Sequence, residues 1–401
     1  MTTPTAQKIQ KILTDRIGRI EVSATMAVTA EAAKLRAQGA KLVDFGAGEP
    51  HFATPRHIKD AAIAAIEANF TRYTIVSGIP EVRKAIVERH ACDFSSDYAP
   101  EEAVFTTGGK LALFNALQVL VEHGDEVILP VPYWVSYKDI IQYGGGVPVY
   151  LETEESENFR ITAGAVERLI TPRTKAIILN SPSNPAGSVV APADLEAIVR
   201  LAQERGVYLI LDECYVYLQY NGALVSGGSF PEAKEHVIVA GSLSKTYAMT
   251  GWRAGFALGP KPIIAAMSKL QSQSTSSTAH FVQKAAVAAL TGPQECVLEM
   301  RADYLKLRDR VLAGLSTIPG LTCTVPEGAF YVYPNVSAYL GKPGSRTALE
   351  LAGRLLHEGH VVTVPGEAFG TKEHIRLSYA VTHEDVDEGV ARMRDFFAKL
   401  G

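Results

Sequence analysis

Between residues 100 and 260 of this 401-residue chain, short β-branched runs alternate with stretches of helical period. That alternation restricts the fold to an α/β class built on a parallel sheet. The strand-like runs are 103–107, 126–130, 175–180, 207–212 and 237–242, and stretches such as 111–122 and 192–205 between them read as amphipathic helices. The last hundred residues follow another pattern. A long charged helix over 296–315 is followed by a strand-like 328–333, a helix over 348–358, a strand-like 375–379 and a closing helix over 384–400. The expected organisation is a large domain over 51–299 and a smaller α+β domain made of 1–50 and 300–401, with an N-terminal arm.

Charge and cysteine usage narrow the function classes. Lys and Arg number 39 against 43 Asp and Glu, a net charge of −4, so no bulk field favours nucleic acid or an anionic membrane. No apolar run approaches the roughly 18 residues of a membrane span. The four cysteines, Cys92, Cys214, Cys296 and Cys323, lie far apart without a CxxC pair, which reads as free thiols in a reducing compartment and gives no metal site. The N-terminal stretch has no apolar core of signal-peptide length, and Asp15 and Glu21 interrupt its basic residues. A cytoplasmic location, with no nucleic-acid or membrane partner, is expected.

The ends of the strand-like runs carry the chemistry. The first ends in Gly108-Gly109-Lys110 before a helical stretch, and backbone N–H groups at a helix start favour an anion such as phosphate. The third ends in Ser181-Pro182-Ser183-Asn184-Pro185, the fourth in Asp212-Glu213-Cys214-Tyr215 and the fifth in Ser242-Leu243-Ser244-Lys245. Open α/β sheets bind ligands beyond the carboxyl ends of their strands. A lysine directly after a buried strand is costly to bury as a cation, and burial lowers its pKa, which suits a Schiff-base amine. Ser242 and Arg253 beside it combine a hydroxyl and a guanidinium suited to phosphate.

The stretch from Ser242 to Gly255 resembles the lysine motif of class I (fold type I) pyridoxal-phosphate aminotransferases, and the resemblance covers nearly all of the chain. Ala47-Gly48-Glu49-Pro50, the loop from Arg72 to Gly78, the turn from Ser181 to Gly187, Asp212-Glu213-Cys214-Tyr215 and the run from Arg376 to Ala380 follow in the family's order. The resemblance implies a large domain with a mostly parallel seven-stranded sheet, a smaller α+β domain, pyridoxal 5′-phosphate as cofactor and a homodimer with shared active sites. It implies that Lys245 holds the cofactor as an aldimine and then serves as general base and acid. It places Asp212 at the pyridine nitrogen, Tyr215 and Asn184 at O3′, and Trp134 on the ring. Gly108, Gly109, Ser242, Ser244, Arg253 and Lys110 fall to cofactor binding, with Tyr73 reaching the phosphate of the neighbouring subunit. Arg376 and the backbone at Gly48 fall to the substrate α-carboxylate, with Trp134 and Asn184 beside it.

Substrate choice turns on the side-chain pocket. The chain is most similar to prokaryotic-type aspartate aminotransferases, which implies that Lys110 with Ser23 or Thr25 meets a distal carboxylate. Aspartate or glutamate then exchange with 2-oxoglutarate or oxaloacetate by a ping-pong mechanism. Prephenate, aromatic or other amino-acid transamination stands as the alternative, with a lyase of the same fold behind it. His51, Ser183, Ala186 and Cys214 depart from common family residues without removing a catalytic group.

Overall fold

All five apolar runs of the middle of the chain become strands, and two further strands join them. The computed structural model describes residues 12–20 and 24–400. The strands are β1 (Ala103–Thr107), β2 (Glu126–Val131), β3 (Val147–Glu152), β4 (Thr174–Asn180), β5 (Tyr208–Asp212), β6 (Val237–Ser242) and β7 (Ala254–Leu258). They form one seven-stranded sheet in the order β1-β7-β6-β5-β4-β2-β3. Only β7 runs antiparallel to its neighbours.

The two strands not expected from the sequence have weak local signals. β3 is an edge strand with mostly half-exposed residues and a proline, which an edge tolerates. β7 reads Ala-Gly-Phe-Ala-Leu, with small residues in place of β-branched ones, and the turn at Gly108-Gly109 packs directly on it. A Cβ on Gly255 would stand 2.3 Å from the Gly109 amide nitrogen.

Both faces of the sheet are buried, as parallel strands covered by helices require. On one face Ile177, Leu179, Leu209, Leu211, Val237 and Val239 share a core, while Ala176, Ile178, Ile210, Ile238 and Ala240 enter another on the opposite face. The strictly alternating assignment follows from the two-residue side-chain period of a strand.

A further core forms around the packed helices Glu295–Leu315 and His383–Leu400. A small sheet of β8 (Tyr331–Val332), β9 (Val364–Pro365) and β10 (Ile375–Ser378) contributes to it in the order β9-β10-β8. The N-terminal part enters through Val43–Asp44, which pairs parallel with Val361–Val362. Phe45 is fully buried there; its N–H donates to Val362 O at 3.0 Å and its carbonyl accepts from Ser378 N at 2.7 Å. No helix among the described residues is long and apolar enough to cross a membrane.

Phe45 therefore fastens the segment that leads into Gly46 and Gly48. Phe45→Ala is expected to lower the unfolding free energy by about 3–5 kcal/mol in urea titrations, the cost of emptying a buried aromatic site.

Candidate active site

Strand register brings the distant sequence motifs together. Asn180 pairs with Asp212, Asp212 with Ala240, Ser242 with Gly255 and Thr107 with Ala254. The loops following these residues open at one end of the sheet onto a cavity of about 370 Å³. Gly109, Lys110, Trp134, Asn184, Asp212 and Tyr215 line it, as do Ser242, Ser244, Lys245 and Arg253; Gly48 and Arg376 close it from the second core.

The anion end is built from small residues and helix termini. Gly108 caps the helix Gly109–Leu120 with a φ of 84°, a conformation glycine takes without a Cβ clash. A Cβ there would lie 2.5 Å from an Arg253 terminal nitrogen, so the guanidinium stands directly over the turn. Arg253 also donates to Thr250 O at 2.8 Å. Ser242 caps the short helix Leu243–Thr246, its hydroxyl accepting from Ser244 N at 3.1 Å.

Lys245 follows from that short helix, and its amine donates to the carbonyl of Gly48. Burial pushes its pKa down, and the Arg376 and Arg253 charges push the same way, against Cys214 and Glu49. A lysine with a depressed pKa offers the free electron pair that a carbonyl electrophile needs.

Asp212 is buried at the end of β5. One carboxylate oxygen accepts from the Tyr137 hydroxyl at 2.6 Å and the other from Cys214 N at 3.1 Å. Burial raises its pKa to about 6, and the bonds from Tyr137 and Cys214 hold it from rising further. The Cys214 thiol beside it is pushed by burial to about 12 and stays neutral.

Arg376, on β10, is only 4% exposed and has no carboxylate partner among the described residues. It donates to Asn184 Oδ1 at 3.1 Å and to Gly46 O at 2.6 Å. Its guanidinium lies 4.6 Å from the Tyr331 ring and 5.2 Å from that of Phe369, while its buried Nε has no partner. A buried cation held by neutral groups and aromatic faces is set to receive a carboxylate.

Other expected positions are placed differently. Tyr215 gives its hydroxyl contact to Tyr331, 2.7 Å away, and Asn184 spends its Oδ1 on Arg376, so these two side chains engage the second core rather than each other. Trp134 meets Tyr137 edge-on, with the Lys110 amine 4.8 Å above the indole. Tyr73 is 94% exposed on a separate loop and does not enter this chain's cavity. Ser23 and the side chain of Thr25 lie outside the described residues; the helix that starts beside them, Ala24–Ala37, reaches the cavity through Thr29. No cluster of three His, Cys, Asp or Glu side chains able to hold a metal occurs among the described residues.

Sequence reasoning missed Gly46, Tyr137, Asn180, Tyr331 and Phe369. Tyr137 had a signal, since it stands three residues after Trp134 where a helix begins and so turns to the same side. Tyr331 and Phe369 had none, because their relation to Arg376 arises from packing of separate segments.

The family model for aminotransferase class I and II matches residues 40–393. The chain belongs to this family. It is 43% identical over 386 residues to an aspartate aminotransferase of Geobacillus stearothermophilus, covering 96% of this chain and 98% of the relative. A probable aspartate/prephenate aminotransferase of Aquifex aeolicus is 40% identical over 390 residues, covering 96% and 98%. The solved structure of aspartate aminotransferase from Thermus thermophilus with maleate superposes with a TM-score of 0.91 at 43% identity, covering 96% of this chain and 99% of that one.

The cofactor of this aminotransferase family is pyridoxal 5′-phosphate, and the residues present fit it. The turn at Gly108 has no room for a Cβ, Lys245 is an amine with a lowered pKa, and Asp212 is a buried carboxylate whose ionised form lacks a cation. A protonated ring nitrogen of the bound cofactor would supply that cation.

The sign of the Asp212 shift gives a measurable consequence. A carboxyl raised to about 6 on folding contributes stability below the unfolded value near 4 and loses it as pH rises through 6. In cofactor-free protein, stability relative to Asp212→Asn is expected to fall by about 2 kcal/mol between pH 4 and 6, read by urea unfolding at each pH. A constant difference across that range overturns the raised pKa.

Proposed function

We propose that this protein is an aspartate aminotransferase that moves the amino group between a dicarboxylic L-amino acid and a 2-oxo acid by a ping-pong mechanism. The charge balance of the cavity carries the reading: beside the Lys245 amine, Lys110, Arg253 and Arg376 line it against one carboxylate, Asp212. Such an excess of positive charge in a partly dry site calls for several anionic groups at once. A phosphate and the two carboxylates of aspartate meet that demand, whereas a monocarboxylic substrate leaves one cation unanswered. The Geobacillus and Thermus relatives carry the name aspartate aminotransferase, and the latter was solved with maleate, a four-carbon dicarboxylate.

Each residue then has a physical task. Gly108, Gly109, Ser242, Ser244 and Arg253 hold the phosphate with backbone N–H groups, hydroxyls and a guanidinium. Asp212, fixed by Tyr137, would hold the proton on a bound cofactor's ring nitrogen, and Trp134 would lie beside the ring. When bound, the cofactor supplies the electrophilic carbon and the electron sink through which the amino group is exchanged. Arg376 binds the substrate α-carboxylate, Lys110 the distal one, and Lys245 moves the proton at the substrate Cα. Tyr215 and Asn184, which line the same cavity, would hold the O3′ side of a bound cofactor.

The division into a large domain over 51–299 and a smaller one from both chain ends belongs to this reading, and the separate core around Phe45, Tyr304 and Phe397 supports it. So does a homodimer with shared sites. Ile63, Ile66, Phe70 and Ile75 are exposed near Tyr73, and an apolar face of that kind suits a second copy. In the dimer Tyr73 reaches the phosphate of the neighbouring site.

The half-reaction tests the substrate. L-aspartate added alone to the holoenzyme is expected to convert the cofactor's absorbance to that of its aminated form, faster than alanine or phenylalanine does. Lys110→Ala is expected to lower kcat/KM for aspartate by about ten- to a hundredfold, the scale of a charge-assisted bond, with little effect on alanine. An unchanged preference for aspartate removes Lys110 from the distal-carboxylate role. Prephenate offered as the second substrate then defines the acceptor range.

A further inference from the structure

Two glutamines with no solvent exposure, Gln271 and Gln283, sit behind the loop that carries Tyr73. Gln283 accepts from Ile79 N at 2.7 Å and donates to Thr74 Oγ1 at 2.9 Å and to Thr278 O at 2.7 Å. Gln271 donates to Val76 O at 2.9 Å and Phe105 O at 3.0 Å, while its own carbonyl accepts from Asn115 at 3.3 Å. Phe105 N adds a bond to Ser77 O at 2.9 Å, and Thr74 N donates to Ser277 Oγ at 3.4 Å. Residues 74, 76, 77 and 79 are thus each fixed from outside. Gly78, with a φ of +102°, lets the backbone pass so close that a Cβ would stand 2.8 Å from that of Phe105.

This is an unusual expenditure of buried polar groups on a surface segment. A buried amide is tolerated only when its bonds are made, and here both amides are nearly fully engaged. What they hold in place is a tyrosine 94% exposed at the loop's tip. A large side chain presented on a stiffened loop has its backbone ordering done before any ligand arrives, which is the condition for tight recognition of a partner. The anchors also reach the anion end of this chain's own cavity: Phe105 lies on β1 and Asn115 on the helix that Gly108 caps.

We propose that Gln283 and Gln271 are positioning residues for the cofactor site of the neighbouring subunit, holding residues 74–79 so that the Tyr73 hydroxyl meets the phosphate there. The inference rests on the shared-site dimer proposed above. It predicts that the glutamines act on cofactor affinity through Tyr73 and not through general stability alone.

The test is a double-mutant cycle on cofactor binding, measured by titrating pyridoxal phosphate into the stripped full-length protein, with dimer mass checked by sedimentation for every variant. Tyr73→Phe is expected to weaken binding about tenfold or more, the scale of one bond to a charged group. Gln283→Leu is expected to weaken it about tenfold in the parent and less than twofold in the Tyr73→Phe background. Should Gln283→Leu not yield folded dimer, Thr74→Val removes one of the same bonds from a half-buried side chain, with a loss of about threefold that also vanishes behind Tyr73→Phe. Equal losses in both backgrounds overturn the positioning role and leave the glutamines structural. An unchanged affinity in Tyr73→Phe with the dimer intact overturns the shared-site reading and this inference with it.

Discussion

Two carbonyl oxygens, those of Gly46 and Gly48, hold the guanidinium and the amine on which the site depends. Gly46 O accepts from Arg376 at 2.6 Å, and Gly48 O accepts from the Lys245 amine. Arg376 belongs to the small sheet and Lys245 to the short helix after β6, so one short segment joins the two cores at the point where chemistry is concentrated. The segment is itself fixed, because Asp44 Oδ1 accepts from Gly46 N at 2.9 Å and Ala47 N at 3.2 Å, and Phe45 is buried among the second core. Side chains have no place here: a Cβ on Gly46 would lie 2.9 Å from Val362, and one on Gly48 2.6 Å from the Tyr331 hydroxyl oxygen.

Electrostatics in the cavity follow from that arrangement. Neutral acceptors and aromatic faces hold the cations without discharging them, so the positive charge stays available to a ligand. The single carboxylate is treated in the opposite way. Its surroundings raise its proton affinity, and a phenol and a backbone amide keep it oriented. Cations without anions and one anion without a cation describe a site whose charge is completed by what binds.

Most of this was legible in the sequence because the chemistry sits at strand ends. Gly108, Asn184, Asp212, Ser242 and Lys245 each follow an apolar run, and a parallel sheet delivers such residues to one end whatever the loops do. What stayed hidden depends on contacts between segments far apart. β7 has a composition that says little locally, yet it places Arg253 over Gly108. Tyr331 and Phe369 became part of the Arg376 seat only through packing of the small sheet. Gln271 and Gln283 are polar residues of helices Lys261–Ser272 and His280–Thr291, and their full burial has no local signature. The strand β3 was missed for a related reason, since an edge strand need not be apolar.

The antiparallel course of β7 has a consequence for how the molecule assembles. Gly108 follows β1, Arg253 precedes β7, and the two are brought together because β7 is inserted between β1 and β6. The phosphate cradle is therefore a product of long-range pairing at one margin of the sheet, among the contacts that chain entropy makes slow to form. Cofactor added during refolding has nothing to grip until that margin is laid down, and once bound it favours the closed margin by mass action.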